Sequence, residues 1–242
     1  DIYNIGAKNN ILNAFHYKYD KWSNIIEFAF TDGNNKAQIY SEGFYKYICK
    51  FDERRHELER CFYNKNNIIA CPIGKKYSII KHKYDIYGNE IETTYWLREQ
   101  TPGLDDGNVF KRCREFNNMG LVTREINYNS KGMPVSYTGA APEGRVKYDN
   151  RGNRIEVSYW DGKGHLINGE DGCAITRYTY NFRNQQIEMR IYDVNSNLRT
   201  KGFAIIKTTY DEYGNQMTLS YYDCKNILVN GPNGFAKYIN VY

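Results

Sequence analysis

The sequence lacks the local signatures by which many enzymes and membrane proteins are recognised. It has no apolar run of about eighteen residues, so we expect no membrane span. It has no Gly-x-Ser-x-Gly elbow, no P-loop and no His-Glu-x-x-His, and its four histidines occupy unrelated positions. The sequence therefore indicates no catalytic residues, and we expect neither an enzymatic activity nor a cofactor.

Metal-binding patterns are also missing. None of the six cysteines forms a Cys-x-x-Cys pair, and no Cys/His spacing suits zinc. A chain of 242 residues does not need disulfides, so we expect reduced thiols packed as small apolar groups. The recurring Asp residues lack the dense spacing of calcium loops, and we interpret them as turn caps. No metal site is expected.

Charge and composition narrow the possible partners. Lys and Arg number 33 against 28 Asp and Glu, and a surplus of five is too small to indicate nucleic-acid binding. Aromatic residues make up 16% of the chain, which argues against disorder. The chain begins at Asp1 with neither an initiator Met nor an apolar signal stretch, so we expect a processed chain or a fragment, with neighbouring domains in a longer protein.

A repeat of about 32 residues runs through nearly the whole chain. The phrase Tyr-Asp-x-x-Gly-Asn begins at Tyr84, Tyr148 and Tyr210, and degenerate copies fill the gaps. The aromatic anchors, each taken as position 0 of its repeat, are Tyr19, Phe51, Tyr84, Phe116, Tyr148, Tyr180 and Tyr210. Their even spacing predicts a single repeat domain over residues 1–242.

Each repeat has the pattern of a β-hairpin. Positions +7, +9 and +11 are mostly apolar, and this alternation is typical of a strand with one buried face. The Asp/Asn-x-x-Gly step before them predicts a tight turn in which Gly has a positive φ. Position +13 opens a second turn, and a further Gly, such as Gly43 or Gly139, begins the approach to the next anchor. The sequence predicts an all-β, solenoid-like or spiralling antiparallel sheet of seven hairpins with little helix.

The register of the hairpins follows from charge. Positions −1 and +8 vary together, as in Lys147 with Glu156, and the signs are exchanged in Glu115 with Arg124. Opposite charges facing each other across a hairpin are favourable by about 0.2–1 kcal/mol. We therefore predict that −1 faces +8 and that the anchor faces the apolar residue at +7.

Position +12 is aromatic in six of the seven repeats, on the same face as the Glu at +8. A row of rings could stack on a glycan or another extended ligand, because aromatic faces offer a large contact area. It could equally be a packed layer that holds neighbouring repeats together. The candidate ligand-binding residues are Tyr63, Trp96, Tyr128, Trp160, Tyr192 and Tyr222.

At these repeats the sequence resembles the YD-repeat family, found in Rhs proteins, teneurins and the shell components of bacterial Tc toxins. The resemblance rests on text such as Tyr148-Asp149-Asn150-Arg151-Gly152-Asn153 and recurs from residue 17 to about residue 223. It implies β-hairpins wound into a spiralling sheet, which in long arrays encloses a toxic polypeptide. This chain has a longer repeat than the usual YD unit, and its seven repeats are too few to enclose a large cargo.

The predicted function is a non-enzymatic module, a scaffold or a binding surface for a protein or polysaccharide, within a larger bacterial protein that is secreted or at the cell surface. A cytoplasmic location stays open. The alternatives are a carbohydrate-active enzyme and a fragment of a toxin-enclosing shell. The repeat is interrupted at residues 97–108 and 134–145, which are rich in Gly and Pro and poor in catalytic residue types, and this favours the module.

Overall fold

The computed structural model describes residues 13–137, 141–169 and 172–242, and its regular structure there is entirely β-strand. The strands are β1 (Asn13–Tyr19), β2 (Ile25–Asp32), β3 (Lys46–Phe51), β4 (Glu57–Tyr63), β5 (Ile79–Tyr84), β6 (Glu90–Arg98), β7 (Thr101–Pro102), β8 (Lys111–Phe116), β9 (Val122–Tyr128), β10 (Glu143–Tyr148), β11 (Arg154–Trp160), β12 (Ile175–Tyr180), β13 (Gln186–Tyr192), β14 (Ile205–Tyr210), β15 (Gln216–Tyr222) and β16 (Lys237–Ile239). In the described ranges no helix is long and apolar enough to cross a membrane.

The strands are hydrogen-bonded in the order in which they occur in the chain, except that β7 pairs only with β6. All the pairings with a resolved register are antiparallel. Each repeat supplies a first strand ending at its anchor and a second strand running from about +6 to +12. The predicted all-β fold of hairpin repeats is confirmed.

The chain divides into two compact units, the first comprising residues 1–114 and 127–135 and the second residues 115–126 and 136–242. The core of the first unit is aromatic. Phe28, Phe44 and Phe62 are buried there, and the rings of Phe28 and Tyr47 stack with centroids 5.1 Å apart. In the second unit the buried hydrophobic side chains are mainly aliphatic, and they include Ile175, Ala174, Ile191, Ala204 and Ile205.

The first turn has the predicted chemistry. Asp149 accepts hydrogen bonds at Oδ1 from the backbone N–H groups of Arg151 and Asn153, at 2.9 and 2.8 Å. Position +4 has a positive φ in every repeat, as in Gly152 at 83°. Where Gly is missing at +4, another residue adopts this conformation, and these residues are Ser23, Arg55 and Asn184.

The second turn is capped in the same way. Asp161 Oδ1 accepts the N–H groups of Lys163 and His165, which confirms the interpretation of these Asp residues as turn caps. Of the glycines predicted before the next anchor, Gly43 has φ 88° in a turn closed by its own N–H on the carbonyl of Tyr40. Gly139 lies outside the described residues.

The predicted pairing of −1 with +8 is confirmed. Lys147 lies opposite Glu156, and the same register recurs in the other hairpins whose pairing is resolved. The predicted pairing of the anchor with +7 is wrong. Tyr148 lies opposite Arg154 at +6, because the register shifts by one residue after Lys147 and leaves +7 as a β-bulge. A turn that ends in a positive-φ residue commonly carries such a bulge.

Candidate functional site

The candidate ligand-binding rings lie on one face of the hairpins, here called the ladder face, which carries positions −5, −3, −1, +8, +10 and +12. Tyr63, Trp96 and Tyr128 belong to the first unit, and Trp160, Tyr192 and Tyr222 belong to the second. All six are half-buried. They are therefore neither core residues nor freely exposed platforms.

A cation lies over each of these rings, supplied from position −3 or −5 of a first strand. The distances to the ring centroid are 5.3 Å for Lys46 over Tyr63, 5.7 Å for Lys81 over Trp96, 5.0 Å for Lys111 over Tyr128, 3.9 Å for Arg145 over Trp160, 4.9 Å for Arg177 over Tyr192 and 4.9 Å for Lys207 over Tyr222. The rings are evident from the sequence repeat, whereas the cations were not predicted, although they follow from the same repeat numbering.

The two tryptophans are also fixed by hydrogen bonds. Trp96 Nε1 donates to the hydroxyl of Thr94, and Trp160 Nε1 donates to the hydroxyl of Ser158, each at 2.9 Å. The acceptor stands at +10, two residues before the ring on the same face. Each indole thus has its N–H satisfied within its own strand and a cation on its ring.

Carboxylates at +8 join consecutive repeats on the ladder face. In the second unit Glu156 binds Lys147 of its own hairpin and Arg177 of the next first strand, both at 2.8 Å. In the first unit Glu59 binds Lys50 at 2.7 Å and Lys81 at 3.4 Å. Each of these glutamates thus binds a cation on the strand before it and another on the strand after it, and so links three consecutive strands.

Burial and hydrogen bonding act in opposite directions on the pKa of Glu156. Partial burial favours the neutral carboxyl, but the hydrogen bonds from Lys147 and Arg177 outweigh it and lower the pKa of Glu156. A carboxylate held ionised by two cations is a poor proton donor. Around Glu156 the ladder face is therefore a network of ion pairs and cation–π contacts.

The opposite face, here called the core face, carries positions −4, −2, +9 and +11. In the first unit its apolar pattern is interrupted by an ion cluster of His82, Glu90, Thr93 and Arg114. The Nδ1 atom of His82 lies 3.1 Å from Glu90 Oε2, and Arg114 Nη1 donates to Glu90 Oε1 at 2.7 Å. The Thr93 hydroxyl donates to the same oxygen.

The hydrogen bond with His82 is the largest influence on Glu90 and, with Thr93 and Arg114, lowers its pKa to about 2. This cluster was not predicted, because the alternation of apolar residues is clearest in the repeats whose +9 residue is apolar. The signal was present at +9, where Arg60, Thr93 and Glu125 replace apolar residues.

A second ionic contact on this side of the first unit involves Asp105, which is buried. Its Oδ1 accepts the N–H groups of Gly107 and Val109, and its Oδ2 lies 3.2 Å from Arg112 Nη2. Arg112 Nε also donates to Asn127 Oδ1 at 3.1 Å. Asp105 therefore closes a turn and holds Arg112.

Among the described residues, the remaining nucleophiles and metal-ligating side chains lie apart from one another. The six cysteines are reduced thiols, and burial raises the pKa of Cys49 to about 12, so its thiolate is scarce at neutral pH. Within residues 13–137, 141–169 and 172–242, no group of three or more His, Cys, Asp or Glu side chains is arranged to hold a metal ion.

No protein-family model and no curated protein matches this sequence. The fold does match solved structures. A chain of the TcdB2-TccC3-TEV crystal structure aligns with a TM-score of 0.55 and 12% identity, over 94% of this chain and 10% of that chain. A chain of the TcdB2-TccC3 crystal structure aligns with a TM-score of 0.42 and 12% identity, over 94% of this chain and 12% of that chain.

The first of these similarities defines a class of fold. At 12% identity and a TM-score of 0.55, this all-β chain shares the fold of a stretch of the TcdB2-TccC3-TEV chain. It spans about a tenth of the length of that chain.

Proposed function

We propose that this chain is a non-enzymatic scaffold module that contributes a stretch of repeat wall to a larger, shell-like bacterial protein. The observation that carries the proposal is the ladder face. Its Glu, cationic and aromatic side chains recur at fixed repeat positions and bind one another, as Glu156 binds Lys147 and Arg177. Repeat proteins use such positions to join neighbouring repeats. The shared fold with a TcdB2-TccC3 chain supports the same function.

Glycan binding by the six rings is the competing function, and the cations weigh against it. A sugar stacks on an open ring face, whereas Arg145 lies 3.9 Å from the Trp160 centroid. A ligand would have to displace this guanidinium and lose a contact of about 0.5–2 kcal/mol. The cation contacts therefore favour a structural function of the rings, as spacers between repeats, over polysaccharide binding.

The two functions predict opposite results for Trp160→Ala and Trp96→Ala. If the rings are spacers, both variants have lower melting temperatures, and wild-type protein is not retained on a glycan array or on peptidoglycan. If wild-type protein is retained and the variants lose retention without losing stability, the scaffold proposal is wrong. Tyr87→Ala is the matched control, since Tyr87 is 84% exposed at a turn and its loss should leave the melting temperature unchanged.

A carbohydrate-active enzyme would need a carboxyl group that can donate a proton near neutral pH. The pKa of about 2 at Glu90 makes that carboxyl unsuitable as the acid. Hydrolysis of chromogenic glycosides by wild-type protein and by Glu90→Gln tests this point. Turnover that Glu90→Gln abolishes while the fold survives would overturn the non-enzymatic proposal.

Secretion of the protein, or its display at the cell surface, belongs to the same proposal.

A further inference from the structure

A row of side chains crosses the ladder face of the first unit at right angles to the strands. Lys50 on β3 lies opposite Glu59 on β4, which lies opposite Lys81 on β5. Lys81 also lies opposite Thr94 on β6, which lies opposite Lys111 on β8. Three successive first strands thus each place a lysine in one line, and these three lysines are here called the lysine row.

The backbone pairing fixes the distance between these lysines. One second strand separates each lysine of the row from the next. Neighbouring strands of a sheet lie about 4.8 Å apart, so residues two strands apart along the row are about 9.6 Å apart. The lysine row is therefore a line of cationic side chains whose points of attachment have a regular interval.

The positive charges in the row are only partly neutralised. Glu59 is shared between Lys50 at 2.7 Å and Lys81 at 3.4 Å. Lys111 lies 3.9 Å from Glu92, a carboxylate that another lysine binds at 2.7 Å. Each of these carboxylates thus serves two lysines, and one positive charge per carboxylate is left in excess.

The whole ladder face of the first unit has this surplus, because its lysines at −5, −3 and −1 outnumber its glutamates at +8 by two to one. The lysines also stand further into solvent. The side chain of Lys50 is 69% exposed and that of Lys81 is 42% exposed, against 18% for Glu59. Such a surface attracts anionic partners. The residues compared are Lys18, Lys46, Lys50, Lys81, Lys83 and Lys111 against Glu27, Glu59 and Glu92.

We propose that the lysine row binds an acidic polypeptide segment in the polyproline II conformation, with a carboxylate at every third residue. This conformation has three residues per turn and rises about 3.1 Å per residue, so every third side chain points the same way at intervals of about 9.3 Å. That interval matches the spacing of about 9.6 Å between the lysines, so each carboxylate can meet one lysine. This binding function goes beyond the scaffold function and does not depend on it.

The spacing favours this partner over other anionic chains. The phosphates of one strand of B-form DNA follow each other at about 3.4 Å along the helix axis, about a third of the lysine interval, so most of them would meet no lysine of the row. An acidic β-strand also fits less well, because its side chains repeat their direction at about 6.6 Å.

The first test uses the 242-residue chain and a fluorescein-labelled peptide of five Glu-Pro-Pro units. The control peptide has the same composition, with its five glutamates in one block followed by its prolines. We expect the spaced peptide to bind at least fivefold more tightly in fluorescence anisotropy, and 0.5 M salt to weaken its binding at least tenfold. Equal or tighter binding of the block peptide, or of an oligogalacturonate with the same number of carboxylates, overturns the proposal.

Variants of the chain test the residues. Lys50→Gln, Lys81→Gln and Lys111→Gln together should weaken binding of the spaced peptide at least tenfold. The matched control changes three exposed lysines of the second turns, removes the same charge and should weaken binding less than threefold. Circular dichroism confirms that both triple variants are folded, and equal weakening by the two overturns the proposal. The control substitutions are Lys36→Gln, Lys163→Gln and Lys225→Gln.

Carbodiimide coupling of the spaced peptide to wild-type protein gives a measurement that does not depend on the folding of any variant. The reagent joins a carboxylate to a neighbouring amine as an amide, and mass spectrometry identifies the lysine. We expect amide bonds from the peptide to Lys50, Lys81 and Lys111. Coupling confined to other lysines overturns the proposal.

Discussion

At the scale of single residues, Glu90 departs from the repeat pattern because polar partners surround its carboxylate. It accepts hydrogen bonds from Thr93 and Arg114 and interacts with His82, on a face whose +9 residue is apolar in four of the other repeats. Glu90→Gln removes the negative charge that holds Arg114 and should cost about 1–3 kcal/mol in the free energy of unfolding. Chemical denaturation measures this loss. Glu53→Gln, at an exposed turn, is the control and should change little.

The same residue predicts a pH dependence. The pKa of Glu90 is about 2 in the folded chain, below the value of about 4.3 for an unperturbed Glu. Ionised Glu90 therefore stabilises the fold above about pH 4.3, and this stabilisation is lost as the pH falls towards 2. The difference in stability between wild type and Glu90→Gln should shrink between pH 6 and pH 2.5. A difference that is constant over this range would contradict the assignment.

Gly88 offers a test of backbone strain and close packing together. It has φ 89°, and a Cβ atom at this position would lie 2.9 Å from His56 Nε2, whose ring stacks on Tyr84. Gly88→Ala should therefore cost more than the roughly 1–2 kcal/mol of the left-handed conformation alone. Gly132, at φ 75° with open space around it, is the matched control. Thermal melts that rank Gly132→Ala as the more damaging change would refute this account.

At the scale of the hairpin, the contribution of the +8 carboxylate to the free energy of unfolding should increase with the number of cations that it binds. Glu156 binds Lys147 and Arg177, whereas Glu27 pairs with Lys18 at 2.8 Å. Exposed pairs are worth at most about 1 kcal/mol each. We expect Glu156→Gln to destabilise the chain more than Glu27→Gln, and 0.5 M salt to reduce the gap between them. Equal losses in urea denaturation would show that Arg177 adds nothing.

Much of the hairpin could be predicted from the sequence because the charges at −1 and +8 vary together and because apolar residues alternate along the second strand. The pairing of Lys147 with Glu156 followed from the covariation of signs between −1 and +8. The pairing of Tyr148 with Arg154 was not predicted, because extending the register from −1 and +8 to the next pair assumes a regular ladder. The turn inserts a bulge at +7 and breaks that regularity. Bulges depend on backbone φ at +4, and Asn, Ser and Arg adopt the positive value there without a glycine signal.

The candidate site was predicted less completely. The positions of Tyr63 and Trp160 followed from the period, but their half-burial and their cations depend on which strand lies alongside. The ion cluster at Glu90 was missed because its partners come from three different strands, with His82 on β5 and Arg114 on β8. Such convergence depends on tertiary pairing and has no signature within a single repeat.

At the scale of the whole molecule, a repeat array should respond locally to damage. Ile191 is buried in the second unit, on β13, and β13 pairs with β12 and β14. Ile191→Ala should speed amide exchange most in β12, β13 and β14, and less in β10. Hydrogen–deuterium exchange resolved by peptide measures this gradient. A uniform increase across the second unit would instead indicate a single cooperative core.

The tyrosine hydroxyls that reach back to the preceding repeat give the second unit a direction. Tyr180 binds the carbonyl of Arg154 and Tyr210 binds that of Gln186, so each anchor closes on a strand that was synthesised earlier. On the ribosome the acceptor carbonyl is therefore already in place when the tyrosine emerges. Because folding from the N-terminal end is normal during synthesis, each repeat can fold onto the preceding one before the last residue has been synthesised.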